Sequence, residues 1–219
     1  MIISVLNDNI PHEGYRNGWG LSLFIESGGL KILFDTGPDG EILKYNAEKM
    51  GIDIDSVDFI FISHNHWDHT GGLGAIKNRN VRVYVPQISE EMEKAGFRQI
   101  KLDTWHNITD DIISTGSIEN PKIPEQALVI RESSRIFLFV GCSHPGIWKI
   151  VKNVYAKYGK LFFIMGGFHS PPLSDIRDLM EYTEYIGPCH CSGDETKVFF
   201  KNNYPERYIE IMTGKVLKF

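Results

Sequence analysis

The feature that most constrains this chain is a buried strand that runs straight into a cluster of metal-ligating side chains. The stretch is "FIFISHNHWDHTGGLG", Phe59 to Gly74. The run "VDFIFIS" is apolar without alternation, the pattern of a strand covered on both faces. At its end come His64, His66, Asp68 and His69, within six positions. His64 and His66 are two apart, so an extended backbone points both the same way. Asp68 and His69 follow in a turn and can face a second position close by. Neutral imidazole suits zinc, iron, manganese or nickel, and a carboxylate adds a hard oxygen donor. A lone His-x-His is a weak signal, because loop histidines are commonly solvated. The longer pattern, set directly after a buried strand and followed by Gly71-Gly72, predicts a metal site. Thr70 is expected to cap a short helix starting at Gly71.

Along the rest of the chain, residues 2–7 and 20–26 read as strands, and Gly28-Gly29 turns a hairpin into "LKILFDTG". Helical spacing runs from Gly40 to Met50 and is closed by Gly51. "VRVYV" is another strand. From Pro86 to Glu125 the pattern weakens: "SEEMEKAGF" is helical and the remainder reads as loop. Then come a hairpin through Ser133-Ser134, a helix over 146–158, the strand "KLFFIMGGFH", helices over 174–186 and 194–202, and the strand "RYIEIMTGKVLKF". Each half has strands first and then helix-strand alternation. That predicts an α/β fold, an αββα sandwich of two mixed β-sheets flanked by helices. With 219 residues the expectation is one domain, 1–219, with 86–124 as a cap or insertion.

In the second half, "GCSH" (Gly141–His144), "GGFH" (Gly166–His169) and "PCH" (Pro188–His190) each end an apolar run with a histidine. Ligands of open α/β architectures collect at carboxyl ends of strands, so these ends and that of "FIFIS" are expected to share one rim. His144, His169 and His190 are therefore the available partners for the first cluster, and two metals about 3.5–4 Å apart would need them.

Composition excludes some partners. A net charge of -5 argues against nucleic-acid binding, which needs a basic face, while an acidic small molecule remains compatible with a local positive site. The longest apolar runs are strand-length, so no membrane span is expected. The amino terminus lacks the pattern of a signal peptide, and Cys142, Cys189 and Cys191 are odd in number, so a cytoplasmic location without disulfides is expected. The three cysteines are expected to pack as small apolar residues beside the metal rim rather than to bind it.

"SHNHWDHTGG" resembles the HxHxDH signature of the metallo-β-lactamase superfamily, and "ILFDTG" resembles its preceding strand. "EQALVI", "GCSHPGI", "GGFH" and "PCHCSG" are similar to a branch named after an archaeal dihydropterin ribofuranosyl-aminobenzene phosphate synthase. The resemblance implies an αββα sandwich with one or two metals at one edge. It implies His64 and His66 at the first metal, completed by His144, and Asp68 and His69 at the second, with His190. Asp35 of "DTG" would steady the ligand loop by hydrogen bonds. Many members carry an aspartate in a late "GD" segment that bridges both metals; here "GCSH" and "GGFH" stand instead, so one tight metal or two of unequal affinity is expected. Gly18-Trp19 stands where the branch often has Glu-His. His12 and His106 are expected on the surface.

The implied activity is that of a metal-dependent hydrolase, with Zn2+ preferred and Mn2+, Fe or Ni as alternatives. Activated water would attack a phosphoester, phosphodiester or lactone-like small molecule, its substrate carrying phosphate in the first two cases. Asp68 would orient that water. His169 is placed with the catalytic residues as acid or phosphate contact, beside readings as a ligand or a structural histidine. A synthase-like transferase and a non-catalytic metal sensor are the competing readings.

Overall fold

Short apolar runs, broken by glycine, serine and polar turns, set the strands of this protein. A computed structural model describes residues 1–118 and 123–219. In chain order the strands are β1 (Ile2–Asn7), β2 (Ser22–Ser27), β3 (Leu30–Phe34), β4 (Phe59–Phe61), β5 (Arg82–Val85), β6 (Arg98–Lys101) and β7 (His106–Asn107). There follow β8 (Ile112–Ser114), β9 (Leu128–Glu132), β10 (Arg135–Val140), β11 (Leu161–Gly167), β12 (Thr183–Cys189) and β13 (Val216–Lys218). They make two mixed sheets with flanking helices, the α/β architecture expected from the sequence. The chain divides into two compact units, Met1–Leu102 with Met212–Phe219, and Asp103–Ile211, each holding one sheet.

The first unit orders its strands β13-β1-β2-β3-β4-β5-β6. The neighbours from β13 to β3 are antiparallel, and those from β3 to β6 are parallel. Gly28 and Gly29 turn the β2–β3 hairpin with φ 58° and 79°, the left-handed pair that matches the twist of the flanking strands. Asp39 caps the helix Gly40–Lys49 by accepting from the backbone N–H groups of Glu41 and Ile42. That helix buries Leu43 and Ala47 in a cluster with Leu33, Ile60, Ile62 and Val83. The opposite face of the strands is buried too, with Phe34 stacked on Phe61 at 5.7 Å and Phe59 edge-on to Tyr84. Burial on both faces is why "FIFIS" shows no alternation.

The second unit orders its strands β12-β11-β10-β9-β8-β7. β10, β11 and β12 are parallel neighbours, and the pairs from β10 to β7 are antiparallel. Ser133 and Ser134 turn the β9–β10 hairpin at φ 50° and 67°. The helix Ile147–Tyr158 lays Ile147, Ile150, Val151 and Val154 into a core with Leu138, Val140, Leu161 and Ile164. The helix Asp194–Asn203 adds Phe200 to the same core.

Four sequence expectations are corrected. Residues 98–114, read as loop, contain β6, β7 and β8. β6 and β7 are edge strands whose exposed residues carry no apolar signal, and β8 is only three residues long. Residues 174–186 form two four-residue helices, Leu173–Ile176 and Leu179–Tyr182, and then enter β12. Pairing of Thr183 with Leu161 and of Tyr185 with Phe163 outweighs the local helical spacing there. In "RYIEIMTGKVLKF" only Val216–Lys218 is a strand; Tyr208 makes one isolated bridge to Ile186, and Gly214 turns the chain with φ 83°. Thr70 is no cap: its hydroxyl donates back to the His66 carbonyl. The segment 86–124 carries the helix Glu90–Lys94 and β6 to β8, and positions 119–122 of it lie outside the described residues.

Candidate metal centre

Parallel strands that are neighbours in a sheet present their carboxyl ends along one edge. In the first unit β3 and β4 are such neighbours, so Asp35, just after β3, lies beside Ser63 and the histidine segment after β4. The Asp35 carboxylate is fully buried and accepts three hydrogen bonds: from Ser63 N–H (2.7 Å), from the Ser63 hydroxyl (2.7 Å) and from His69 Nδ1 (2.7 Å). Thr36 adds its N–H and hydroxyl to the His69 carbonyl. This is the steadying role expected of Asp35.

Proton accounting then fixes two tautomers. An ionised carboxylate only accepts, so His69 holds its proton on Nδ1 and turns the Nε2 lone pair away from Asp35. The single Ser63 hydroxyl proton goes to Asp35, so its 2.9 Å contact with His64 Nδ1 has the imidazole as donor. His64 likewise keeps Nε2 as its unprotonated nitrogen. The ring centroid of His64 lies 4.6 Å from that of His66 and 4.1 Å from that of His69. Asp68 Oδ2 is 3.7 Å from His69 Nε2. Packed imidazoles, two of them with Nε2 turned away from their anchors, and an adjacent carboxylate are a donor set for a divalent transition metal, and these residues fit one.

Gly71 and Gly72 belong to the same construction. A Cβ at Gly72 would overlap the Thr36 carbonyl oxygen, and one at Gly71 the Pro38 carbonyl oxygen. The "TGG" after the last histidine is therefore what lets the segment close onto "DTGP".

In the second unit, the carboxyl ends of β10, β11 and β12 lead into the turns that carry His144, His169 and His190. Hydrogen bonds stitch these turns together. Ser143 Oγ donates to the Gly167 carbonyl (2.7 Å), Phe168 N–H donates to Ser192 Oγ (3.0 Å), and Ser170 N–H donates to the Cys191 carbonyl (2.9 Å). Glu125, 1% exposed, does here what Asp35 does in the first unit. Its Oε1 accepts from the N–H groups of Cys142 and Ser143, and its Oε2 from His144 N–H and Nδ1, at 2.7–2.9 Å. The neutral His144 imidazole thereby carries its proton on Nδ1 and offers Nε2 as a donor.

His169 is exposed and its ring lies 4.7 Å from that of His144; His190 is buried beside Cys142 and Cys191. The Cys191 thiol is pushed down to about 5 by its hydrogen bond with Cys142 and by His169 and His190 beside it, against the effect of burial. His169 is held above its usual range, chiefly by the hydrogen bond to Cys191, with burial opposing and the charges of Cys191 and Glu125 adding.

Ser143, His169, Ser170 and His190 take φ of 62°, 59°, 44° and 46°, and Asp35 takes 53°. Left-handed backbone at such residues costs about 1–3 kcal/mol each and persists only where the surroundings hold it. Apart from the hairpin serines, these are the described non-glycine residues with positive φ, and all lie in the turns that carry the candidate ligands and Asp35.

Sequence reasoning missed Ser63 and Glu125. The signal for Glu125 was an acid at the head of the apolar run "EQALVI"; nothing in the sequence marked its reach to residues 142–144. His12 and His106 are exposed, as expected.

The metallo-beta-lactamase superfamily profile matches residues 18–145, more than half of the chain, and the protein belongs to that superfamily. The fold is that of its metal-dependent hydrolases. Among individual relatives, the chain is 28% identical to the 7,8-dihydropterin-6-methyl-4-(beta-D-ribofuranosyl)-aminobenzene-5'-phosphate synthase of Methanocaldococcus jannaschii, over 93% of this chain and 90% of that one. It is similar to Tm1679, a metal-dependent hydrolase of the beta-lactamase superfamily, with TM-score 0.84 and 23% identity over 100% and 99% of the two chains. It also matches Zn(2+)-bound PqqB from Methylobacterium extorquens with TM-score 0.64 and 9% identity, over the full length of both chains. Among the described residues no helix is long and apolar enough to cross a membrane.

Proposed function

We propose that this protein is a metal-dependent hydrolase of a phosphoester, phosphodiester or lactone-like small molecule. The observation that carries the reading is the paired tautomer control: Asp35 with Ser63 in one unit, and Glu125 in the other, each turn imidazole nitrogens into metal donors. The proposed ligands are His64, His66, Asp68, His69, His144 and His190. Zn2+ is the preferred ion, because imidazole-rich sets suit it and because PqqB, which shares the fold, is a zinc-bound protein.

A bound divalent cation acidifies water and stabilises negative charge on the oxygen under attack. The chain's own residues do the rest. Asp35 and Glu125 hold the imidazoles in one orientation, so little reorganises on binding. Asp68, 6% exposed, orients the attacking water by accepting a hydrogen bond from it. The proposed role of His169, which is exposed, is to contact a substrate phosphate or to give a proton to the leaving group.

A second reading, transfer chemistry of the pterin-related synthase kind, is favoured by the coverage of the archaeal relative, 93% of this chain. The test is turnover of bis-p-nitrophenyl phosphate, p-nitrophenyl phosphate and a homoserine lactone by zinc- and manganese-loaded protein, with His64→Ala as control. Hydrolysis of at least one that is lost in His64→Ala is expected. No turnover by loaded protein, with His64→Ala altering stability alone, would sink the hydrolase reading. A melting-temperature rise with a pterin phosphate, without hydrolysis, would favour transfer.

A further inference from the structure

The three cysteines, expected from the sequence to be packing residues, divide into two kinds. Cys189 is fully buried and, among the described residues, belongs to no group of metal donors. Cys142 and Cys191 are different. The ligand atoms of Cys142, His190 and Cys191 all lie within 4.8 Å of one another, and all three residues are buried. The sulfur of Cys142 also lies within that distance of ring nitrogens of both His144 and His169. We propose that Cys142 and Cys191 are metal ligands, joining His190 in a thiolate-rich donor set for a zinc-class cation. This rests on the metal reading above and sharpens it, because it names sulfur as part of the metal's environment.

The geometry supports coordination over plain packing. In a tetrahedral zinc site, with Zn–S about 2.3 Å and Zn–N about 2.0–2.1 Å, donors sit roughly 3.4–3.8 Å apart. The three donor atoms stand within 4.8 Å of one another, a spread that rotation about the side-chain bonds would narrow as one ion binds. Space for sulfur is built in: a Cβ at Gly167 would stand 2.6 Å from Cys191 Sγ, so glycine there leaves the sulfur its place. Glu125 pins the backbone N–H of Cys142, which fixes where that thiol starts. Cys142 and His190 follow β10 and β12, the two strands that flank β11, and hydrogen bonds from Ser143 to Gly167 and from Phe168 to Ser192 tie their turns together through the end of β11. Each thiol loses its proton to solvent when it coordinates. Thiolate donors select zinc, iron or cobalt over magnesium and manganese.

Cobalt reads this directly. The full-length protein, stripped of metal and loaded with Co2+ alone, is expected to show visible d–d bands and an intense near-ultraviolet band from thiolate-to-cobalt charge transfer. Cys142→Ser and Cys191→Ser should each weaken the near-ultraviolet band, and the double variant should abolish it while keeping the visible bands. Cys189→Ser should leave the spectrum unchanged. Visible bands in the wild-type protein without the near-ultraviolet band would overturn the proposal, and that result needs no variant to fold. It would leave the hydrolase reading intact. A near-ultraviolet band in a protein that hydrolyses nothing would support sulfur ligation and remove the hydrolase reading. Failure to take up cobalt at all would overturn both.

Discussion

Asp35 shows how one buried carboxylate can decide the chemistry of several neighbours. It occupies a strained φ of 53° and gathers two hydrogen bonds from Ser63 and one from His69. Breaking a buried charged network by removing one partner costs about 3–5 kcal/mol. Asp35→Ala is therefore expected to lower the melting temperature sharply and, in whatever folds, to weaken zinc about 10–100-fold, measured by competition with a chromophoric chelator. Ser63→Ala should cost less stability, since it removes one hydroxyl, but should still loosen the metal by releasing the His64 tautomer. Glu125→Gln tests the second unit. Its amide oxygen still accepts, but its NH2 faces N–H donors, so one pair of the four contacts turns repulsive. Loss of hydrogen bonds to a charged group at about 1.5–3 kcal/mol and a comparable drop in zinc affinity are expected. Of these residues, the sequence marked Asp35 through "DTG"; Ser63 and Glu125 became visible only through their partners.

At the scale of elements, the turns matter more than the strands they follow. Gly71 and Gly72 pass so close to Pro38 and Thr36 that no side chain fits, whereas Gly74, two positions on, faces open space. Gly72→Ala is expected to destabilise by several kcal/mol and to displace the histidine segment, while Gly74→Ala should stay within about 0.5 kcal/mol of the parent in thermal unfolding. If the two behaved alike, the close approach of "TGG" to "DTGP" would not be what this glycine pair serves. Strands buried on both faces, such as β4, were legible because their apolar runs are unbroken. β6 and β7 were not, because an edge strand with exposed side chains looks like a loop until its partner is known. β12 was misread because parallel pairing with β11 overrides a helical spacing that runs on to residue 186, so the helix stops at Tyr182.

For the whole molecule, metal and stability should be linked. A ligand that binds the folded state alone stabilises it by RT ln(1 + [L]/Kd), about 2.7 kcal/mol at a hundredfold excess over Kd. Stripping the protein with a chelator should thus lower its melting temperature by several degrees, and added zinc should restore it. An unchanged melting curve on removal and return of zinc would count against a structural role for the ion. Superfamily membership sets the fold, and turnover or binding would identify the reaction and the substrate.

The sequence by itself determined the α/β class, the buried strand with its "HNHWDH" cluster, and the three later histidine-ended segments. Those follow from local periodicity and from dense ligand spacing, which survive in one dimension. The tertiary structure decided which nitrogen each anchored imidazole offers, which carboxylates set it, and which cysteines stand among donors. Those facts depend on residues separated by long stretches of chain: Asp35 and His69 meet after the parallel strands β3 and β4, and Glu125, ahead of β9, meets His144 after its antiparallel neighbour β10. A hydrogen bond across such a distance leaves no periodic trace in the chain that makes it.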